Sequence, residues 1–196
     1  MMNAANRITI ARIALLPLLV VLMQPYPAWM SERYELIRLV DEYGMITALI
    51  VFLVAAATDK LDGYVARRYD QVTNLGKLLD PLADKLFVLT VLILLVQGGH
   101  LVPWIAVVLI GREAVITSVR LLAAAKGIVL AADRFGKWKM VLQVAALAVV
   151  MLGQSAPAAM DGVEAAGGWL MAAAVAATVL SGFHYIRSNY ATLRAG

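Results

Sequence analysis

Four aspartates, Asp59, Asp62, Asp80 and Asp84, fall within residues 59–84, which read DKLDGYVARRYDQVTNLGKLLDPLAD. Apolar runs on either side read as membrane helices, and carboxylates in such a place are costly enough to be functional candidates. Residues three, four and seven apart share a helix face, so Asp59, Asp62, Gly63 and Ala66 form one stripe, which Arg67 continues. Gly76, Asp80 and Asp84 form a second. Pro81 offers an alternative in which Asp80 caps a helix that starts at the proline, breaking the second stripe. Carboxylate oxygens are hard ligands that suit Mg²⁺ or Mn²⁺, and the acids leave coordination positions open for phosphate oxygens. A pair of such ions could stabilise the attacking and leaving oxygens of an in-line phosphoryl transfer. Gly63, Ala66 and Gly76 leave room for a nucleotide-sized group, and Arg67 offers a donor fork to phosphate. Ordinary pairing with Lys60, Arg67, Arg68, Lys77 and Lys85 is the bland alternative, and the small residues interleaved at helical spacing argue against it. An ion pathway or a structural metal site would also use buried carboxylates.

The elements that must hold these acids follow from composition. Of 196 residues, 62% are hydrophobic and 15% charged, which fits a polytopic membrane protein, read as a single domain over residues 1–196. The absence of cysteine excludes disulfides, thiolate metal sites and cysteine nucleophiles. A net charge of +4 marks cytoplasmic loops rather than nucleic-acid binding, so no nucleic-acid partner is expected.

Six membrane helices are expected, near residues 8–23, 44–58, 76–96, 103–125, 135–152 and 168–185. The first follows Arg7 and Arg12 and also resembles a signal peptide. It runs into Gln24, Pro25, Tyr26 and Pro27 without a small-x-small cleavage site, so a retained helix is expected, with Arg12 snorkelling to the inner surface. Residues 25–42 read as a polar outer connection with Tyr26, Trp29 and Tyr34 as interfacial aromatics. Of 17 Lys and Arg, only Arg33 and Arg38 fall in the expected outer loops, so both termini, the loop 67–74 and the loop 126–134 are expected in the cytoplasm. The fold class is thus an all-α integral membrane bundle, in the cell membrane, with the four acids near the cytoplasmic face.

The pattern D-x-x-D-G-x-x-A-R followed by G-x-x-x-D-x-x-x-D, filled by Asp59, Asp62, Gly63, Ala66, Arg67, Gly76, Asp80 and Asp84, resembles that of the CDP-alcohol phosphotransferases. The resemblance implies a six-helix membrane enzyme, a homodimer, that transfers a phosphatidyl or similar group from a CDP-linked donor to an alcohol and releases CMP. It implies that Asp59, Asp62, Asp80 and Asp84 hold two ions, Mg²⁺ or Mn²⁺. Asp84 would be the base toward the attacking hydroxyl, and Asp62, Gly63, Ala66, Arg67 and Gly76 would cradle the CDP portion.

The acceptor is read from the other cations. Arg112 lies about 15 Å into the fourth span and Arg120 about 12 Å further toward the cytoplasm, while Lys137 and Lys139 open the fifth. Together they suit an anionic acceptor, although Glu113 and Arg120 share a face and could pair locally. The set Asn6, Thr9, Arg12, Pro17, residues 79–85 (LDPLADK), Arg112 with Glu113, and Gly136-Lys137-Trp138-Lys139 resembles the phosphatidylglycerophosphate synthase branch, with Met140 departing from an expected threonine. That branch implies CDP-diacylglycerol as donor and sn-glycerol 3-phosphate as acceptor, whose phosphate Arg112, Arg120, Lys137 and Lys139 would bind. Inositol phosphate or serine as acceptor, or divalent-cation transport, are the competing readings.

Overall fold

The computed structural model describes residues 4–68, 74–125, 127–128, 135–155 and 162–195; within these ranges the side chains of residues 4–8, 59–68, 74–82, 84, 135–137 and 191–195 lie outside the description. The chain is helical: α1 (Ala4–Ala14), α2 (Leu16–Met23), α3 (Ala28–Arg33), α4 (Glu35–Arg68), α5 (Asn74–Gln97), α6 (Pro103–Ala125), α7 (Phe135–Ser155) and α8 (Val163–Ala195). There is no strand among the described residues.

The first span and residues 25–42 differ from the sequence expectation. The first span is broken at Leu15, because Pro17 sits in the first turn of α2 and has no N–H for the carbonyl four residues back. Residues 25–42, expected as a polar loop, instead form α3 and the first turns of α4, with Glu35 and Arg38 paired across one turn at 3.5 Å. Charge in that segment marks an exposed helix face rather than a connection. Glycines follow the ends of two helices. Gly99 and Gly127 adopt left-handed φ values of 77° and 72°. The next residues, His100 and Ile128, donate back to Leu95 and Ala123, which satisfies carbonyls at the ends of α5 and α6.

Pro81 does not start a helix. It lies inside α5, which runs unbroken from Asn74, so Gly76, Asp80 and Asp84 share one helix as the stripe requires. Similarly, α4 carries Asp59 and Asp62 in continuous helix beyond its apolar stretch. At 34 residues α4 is about 50 Å long, well over the roughly 30 Å of a bilayer core, so one end must project.

Three stretches are long and apolar enough to cross a membrane: Glu35–Thr58, Trp138–Ser155 and Val163–Tyr190. Shorter apolar helices cover Thr9–Met23 and Lys85–Gln97. In α6 the apolar face is interrupted by Arg112, Glu113 and Arg120. The large hydrophobic side chains divide by size and place: Leu19, Phe52, Leu92, Leu95, Leu109, Leu147, Met151 and Met171 form the buried core, while Trp29, Trp104, Trp138 and Trp169 are exposed.

That core occupies one half of the bundle. The buried polar residues Thr9, Arg12, Lys139, Gln143, Thr178, Ser181 and Asn189 belong to the opposite ends of their helices, the end reached by the second half of α4 and the start of α5. The register of these helices is set by close contacts. Phe52 of α4 and Phe87 of α5 stack in parallel with ring centroids 5.9 Å apart. At Gly44 of α4 an added Cβ would stand 2.2 Å from the backbone oxygen of Leu22 in α2. Gly44→Ala should therefore force α2 away from α4 and cost about 1–3 kcal/mol. Gly111→Ala, which meets nothing within 4 Å, should leave the melting temperature unchanged or raise it. Thermal melts followed by tryptophan fluorescence in detergent check both.

Candidate functional site

The backbone puts the two acidic stripes on adjoining helices, α4 and α5, which contact one another. The side chains of Asp59, Asp62, Asp80, Asp84, Gly63, Ala66, Arg67 and Gly76 lie outside the described residues, as does that of Lys137. Among the described residues no group of three or more His, Asp or Glu could hold a metal ion. The donor set of the stripes nevertheless fits divalent ions. It offers four hard carboxylates, two on each helix, with no soft or imidazole ligand on either stripe.

The described side chains build a second constellation immediately beside that set, centred on Glu113 of α6. Its Oε1 accepts from Arg112 Nη1 at 2.9 Å and pairs with Lys139 Nζ of α7, while Oε2 stands 3.9 Å from Lys85 Nζ of α5. Lys85 also donates to Thr117 Oγ1 at 2.6 Å, one turn along α6. Lys85 directly follows Asp84 in the chain. The carboxylate thus ties three helices together at the level of the second acidic stripe. Among the described residues, three cations face this one carboxylate, which leaves a net charge of two positive. Such an excess at a half-buried site suits a dianionic ligand.

Arg112 is held on its other side by α8. Its Nη2 donates to Ser181 Oγ at 3.0 Å, and Ser181 in turn donates to the Thr178 carbonyl at 3.1 Å. Gly182 makes the close approach possible, since a Cβ there would meet Arg112 Cγ at 3.2 Å and Nε at 3.4 Å. The guanidinium is thereby fixed in the bundle, with only 12% of its side chain exposed. Lys139 is more enclosed still, at 8%.

Arg120 is held by a different partner. Its Nε donates to Tyr185 Oη at 3.1 Å and its guanidinium lies 5.0 Å from the centre of that ring, so among the described residues its partner is Tyr185 rather than Glu113. Tyr185 is fully buried, and Asn189 Nδ2 donates to its backbone carbonyl at 2.9 Å. Of the cations expected at the acceptor end, the structure therefore brings Arg112 and Lys139 together through Glu113 and puts Arg120 on an aromatic support. Sequence reasoning did not pick out Lys85, Thr117, Ser181, Gly182 or Tyr185 for this site. The only local signal was the i, i+4 spacing of Glu113 and Thr117; the partner side chains come from helices 32 and 69 residues away.

A family model for CDP-alcohol phosphatidyltransferase matches residues 2–180. The chain belongs to this family. It is 39% identical over 194 residues to the CDP-diacylglycerol–glycerol-3-phosphate 3-phosphatidyltransferase of Bacillus subtilis, covering 99% of this chain and 98% of that protein. Proteins of the same name from Pseudomonas fluorescens and Rickettsia typhi are 39% and 30% identical, covering 76% and 96% of this chain and 72% and 97% of theirs. As a CDP-alcohol phosphatidyltransferase, this chain is an enzyme. The pair of acidic stripes lies within the matched residues, and so does the Glu113 constellation.

Two substitutions probe the constellation. Glu113→Gln removes the only carboxylate among these described cations and should lower the melting temperature, with partial recovery in Glu113→Asp, because like charges held together repel in a low-dielectric setting. Tyr185→Phe removes one hydrogen bond from Arg120 and leaves the ring beneath it, so a smaller loss of about 1 kcal/mol is expected in the same melts.

Proposed function

We propose that this protein transfers the phosphatidyl group of CDP-diacylglycerol to the hydroxyl of sn-glycerol 3-phosphate, giving phosphatidylglycerophosphate and CMP. The observation that carries the acceptor assignment is the cationic cluster of Arg112, Lys139 and Lys85 around Glu113, with Lys85 adjacent in sequence to Asp84. The relatives' names agree with that chemistry. A glycerol phosphate bound there by its dianionic phosphate has a short carbon chain to extend toward the acidic stripes.

In this reading Asp59, Asp62, Asp80 and Asp84 hold two divalent ions, Mg²⁺ or Mn²⁺. Ions held there supply positive charge against the donor's pyrophosphate and against the charge that develops in transfer. Gly63, Ala66 and Gly76 leave the cytidine diphosphate portion room between the stripes, with Asp62 and Arg67 as its polar contacts. Asp84 accepts the proton of the acceptor hydroxyl. The new bond joins that hydroxyl oxygen to the phosphatidyl phosphorus, and the bond that breaks is the one from this phosphorus to the bridging pyrophosphate oxygen, which leaves on CMP. Arg112 and Lys139 hold the acceptor phosphate, with Lys137 and Arg120 toward the entrance. The reading includes a six-span membrane fold with both termini and the active site on the cytoplasmic side of the cell membrane, and a homodimer. The charge asymmetry of the loops and the family resemblance support it.

Purified protein incubated with CDP-diacylglycerol and a panel of glycerol 3-phosphate, inositol phosphate and serine should form phosphatidylglycerophosphate alone, and a chelator should stop it. Product from inositol phosphate but not glycerol 3-phosphate would overturn the acceptor assignment. Arg112→Ala should raise the KM for glycerol 3-phosphate at least about tenfold, the loss of one charge-assisted contact to phosphate, with the KM for donor little changed. Asp84→Asn should abolish turnover in a protein that still folds.

A further inference from the structure

Glu113 occupies the donors that the reading above gives to the acceptor's phosphate. Its Oε1 accepts from Arg112 Nη1 at 2.9 Å and pairs with Lys139 Nζ, the two cations assigned to that phosphate. Two acceptors on one ammonium or guanidinium lie roughly 5 Å apart, so a dianion bound through the remaining N–H groups would face the carboxylate in direct repulsion. One of the two anions has to give way.

The side chains differ in how firmly they are set. Arg112 and Lys139 have 12% and 8% of their side chains exposed, against 28% for Glu113 and 39% for Lys85. Arg112 keeps an anchor that does not involve Glu113, since its Nη2 donates to Ser181 Oγ at 3.0 Å and its stem passes over Gly182. On the other side of the carboxylate a second seat is already formed. Lys85 Nζ stands 3.9 Å from Oε2, within ion-pair range but about 1 Å beyond a hydrogen bond. That ammonium is held by its donation to Thr117 Oγ1 at 2.6 Å, and it has further N–H groups to offer. Thr117 is one turn beyond Glu113 on the same face of α6, so the seat moves with the helix that carries the carboxylate. A small rotation of the Glu113 side chain that brings Oε2 onto Lys85 withdraws Oε1 from Arg112 and Lys139.

We propose that Glu113 is a displaceable counter-ion, a positioning residue that holds Arg112 and Lys139 in the empty protein and passes them to the acceptor's phosphate while it moves onto Lys85. Charge is balanced in both states. Before binding, one carboxylate restrains three cations; afterwards the phosphate faces Arg112 and Lys139, and Glu113 faces Lys85. The exchange makes and breaks only ion pairs and hydrogen bonds. It also limits affinity, because the returning carboxylate competes with the bound phosphate and so favours its departure on the product. This rests on the placement of an anion on Arg112 and Lys139 in the reading above, and not on which alcohol carries the phosphate.

Isothermal titration of inorganic phosphate into the full-length protein in detergent, with excess chelator and no donor, reads the exchange without any lipid product. Glu113→Gln removes the competing charge and should bind phosphate at least about fivefold tighter. Thr117→Val unseats Lys85 without changing charge. It should weaken phosphate binding at least about threefold when Glu113 is present and leave it unchanged in Glu113→Gln, because only a carboxylate needs the second seat. A third readout needs no substitution. The other glutamates, Glu32, Glu35, Glu42 and Glu164, lie in α3 and in the early parts of α4 and α8. In protein carrying isotope-labelled glutamate, phosphate should therefore shift one glutamate carboxylate band in the infrared difference spectrum. Weaker phosphate binding in Glu113→Gln, an equal loss from Thr117→Val with and without the carboxylate, an unchanged glutamate band, or no phosphate binding to any of these proteins would overturn the exchange. Lipid product from inositol phosphate alone would overturn the acceptor assignment and leave the exchange standing.

Discussion

One carboxylate holds the cationic half of this site together. Glu113 faces Arg112, Lys139 and Lys85 from three helices, and without it those side chains would repel one another in a half-buried space. Their pairing is incomplete by design of the charge count, since the described cluster keeps more positive than negative charge. Full neutralisation would give a structural knot with no affinity for an anion. Partial neutralisation leaves donors already in place, an arrangement that would need little further ordering to take an anion.

The rest of the architecture can be understood as the support for that balance. The apolar core fills the opposite half of the bundle, where Leu92, Leu95, Leu109, Leu147 and Met151 are essentially inaccessible, so rigidity is generated away from the polar groups and transmitted along the helices. Small residues then set how closely the helices approach. Gly44 admits α2 to α4, Gly167 lies against Val150 of α7, and Gly182 admits Arg112 to α8. The two halves of the chemistry meet along α5, where Asp84 belongs to the acidic stripe and Lys85 to the cationic cluster. A single helical step therefore separates the acidic stripe from the cationic cluster.

The parts legible in the sequence are those encoded locally. The acidic stripes follow from spacing alone, and continuous helix through Pro81 makes the second stripe geometrically sound. The helices follow from apolar length and, for α5, from glycine at its end, as at Gly99. What the sequence hid is tertiary. Ser181 and Tyr185 lie on an apolar-looking last helix, and nothing local distinguishes them from lipid-facing neighbours until Arg112 and Arg120 are placed against them. Residues 25–42 misled because charged side chains on one exposed helix face have the composition of a loop. Arg12 misled for the opposite reason: a lone basic residue near an apolar run usually reaches for water, and only packing of α1 against α5 and α4 reveals that it is buried.

The central claim is spatial: the acceptor's phosphate sits on Arg112 and Lys139 while its hydroxyl faces Asp84. The most direct measurement is an experimental structure of the metal-loaded protein with sn-glycerol 3-phosphate and a non-transferable CDP-diacylglycerol analogue. The account predicts phosphate oxygens within about 3 Å of the Arg112 guanidinium and the Lys139 amine, with the acceptor hydroxyl turned toward Asp84. A phosphate bound elsewhere, with Arg112 still engaged by Glu113 and Ser181, would contradict it.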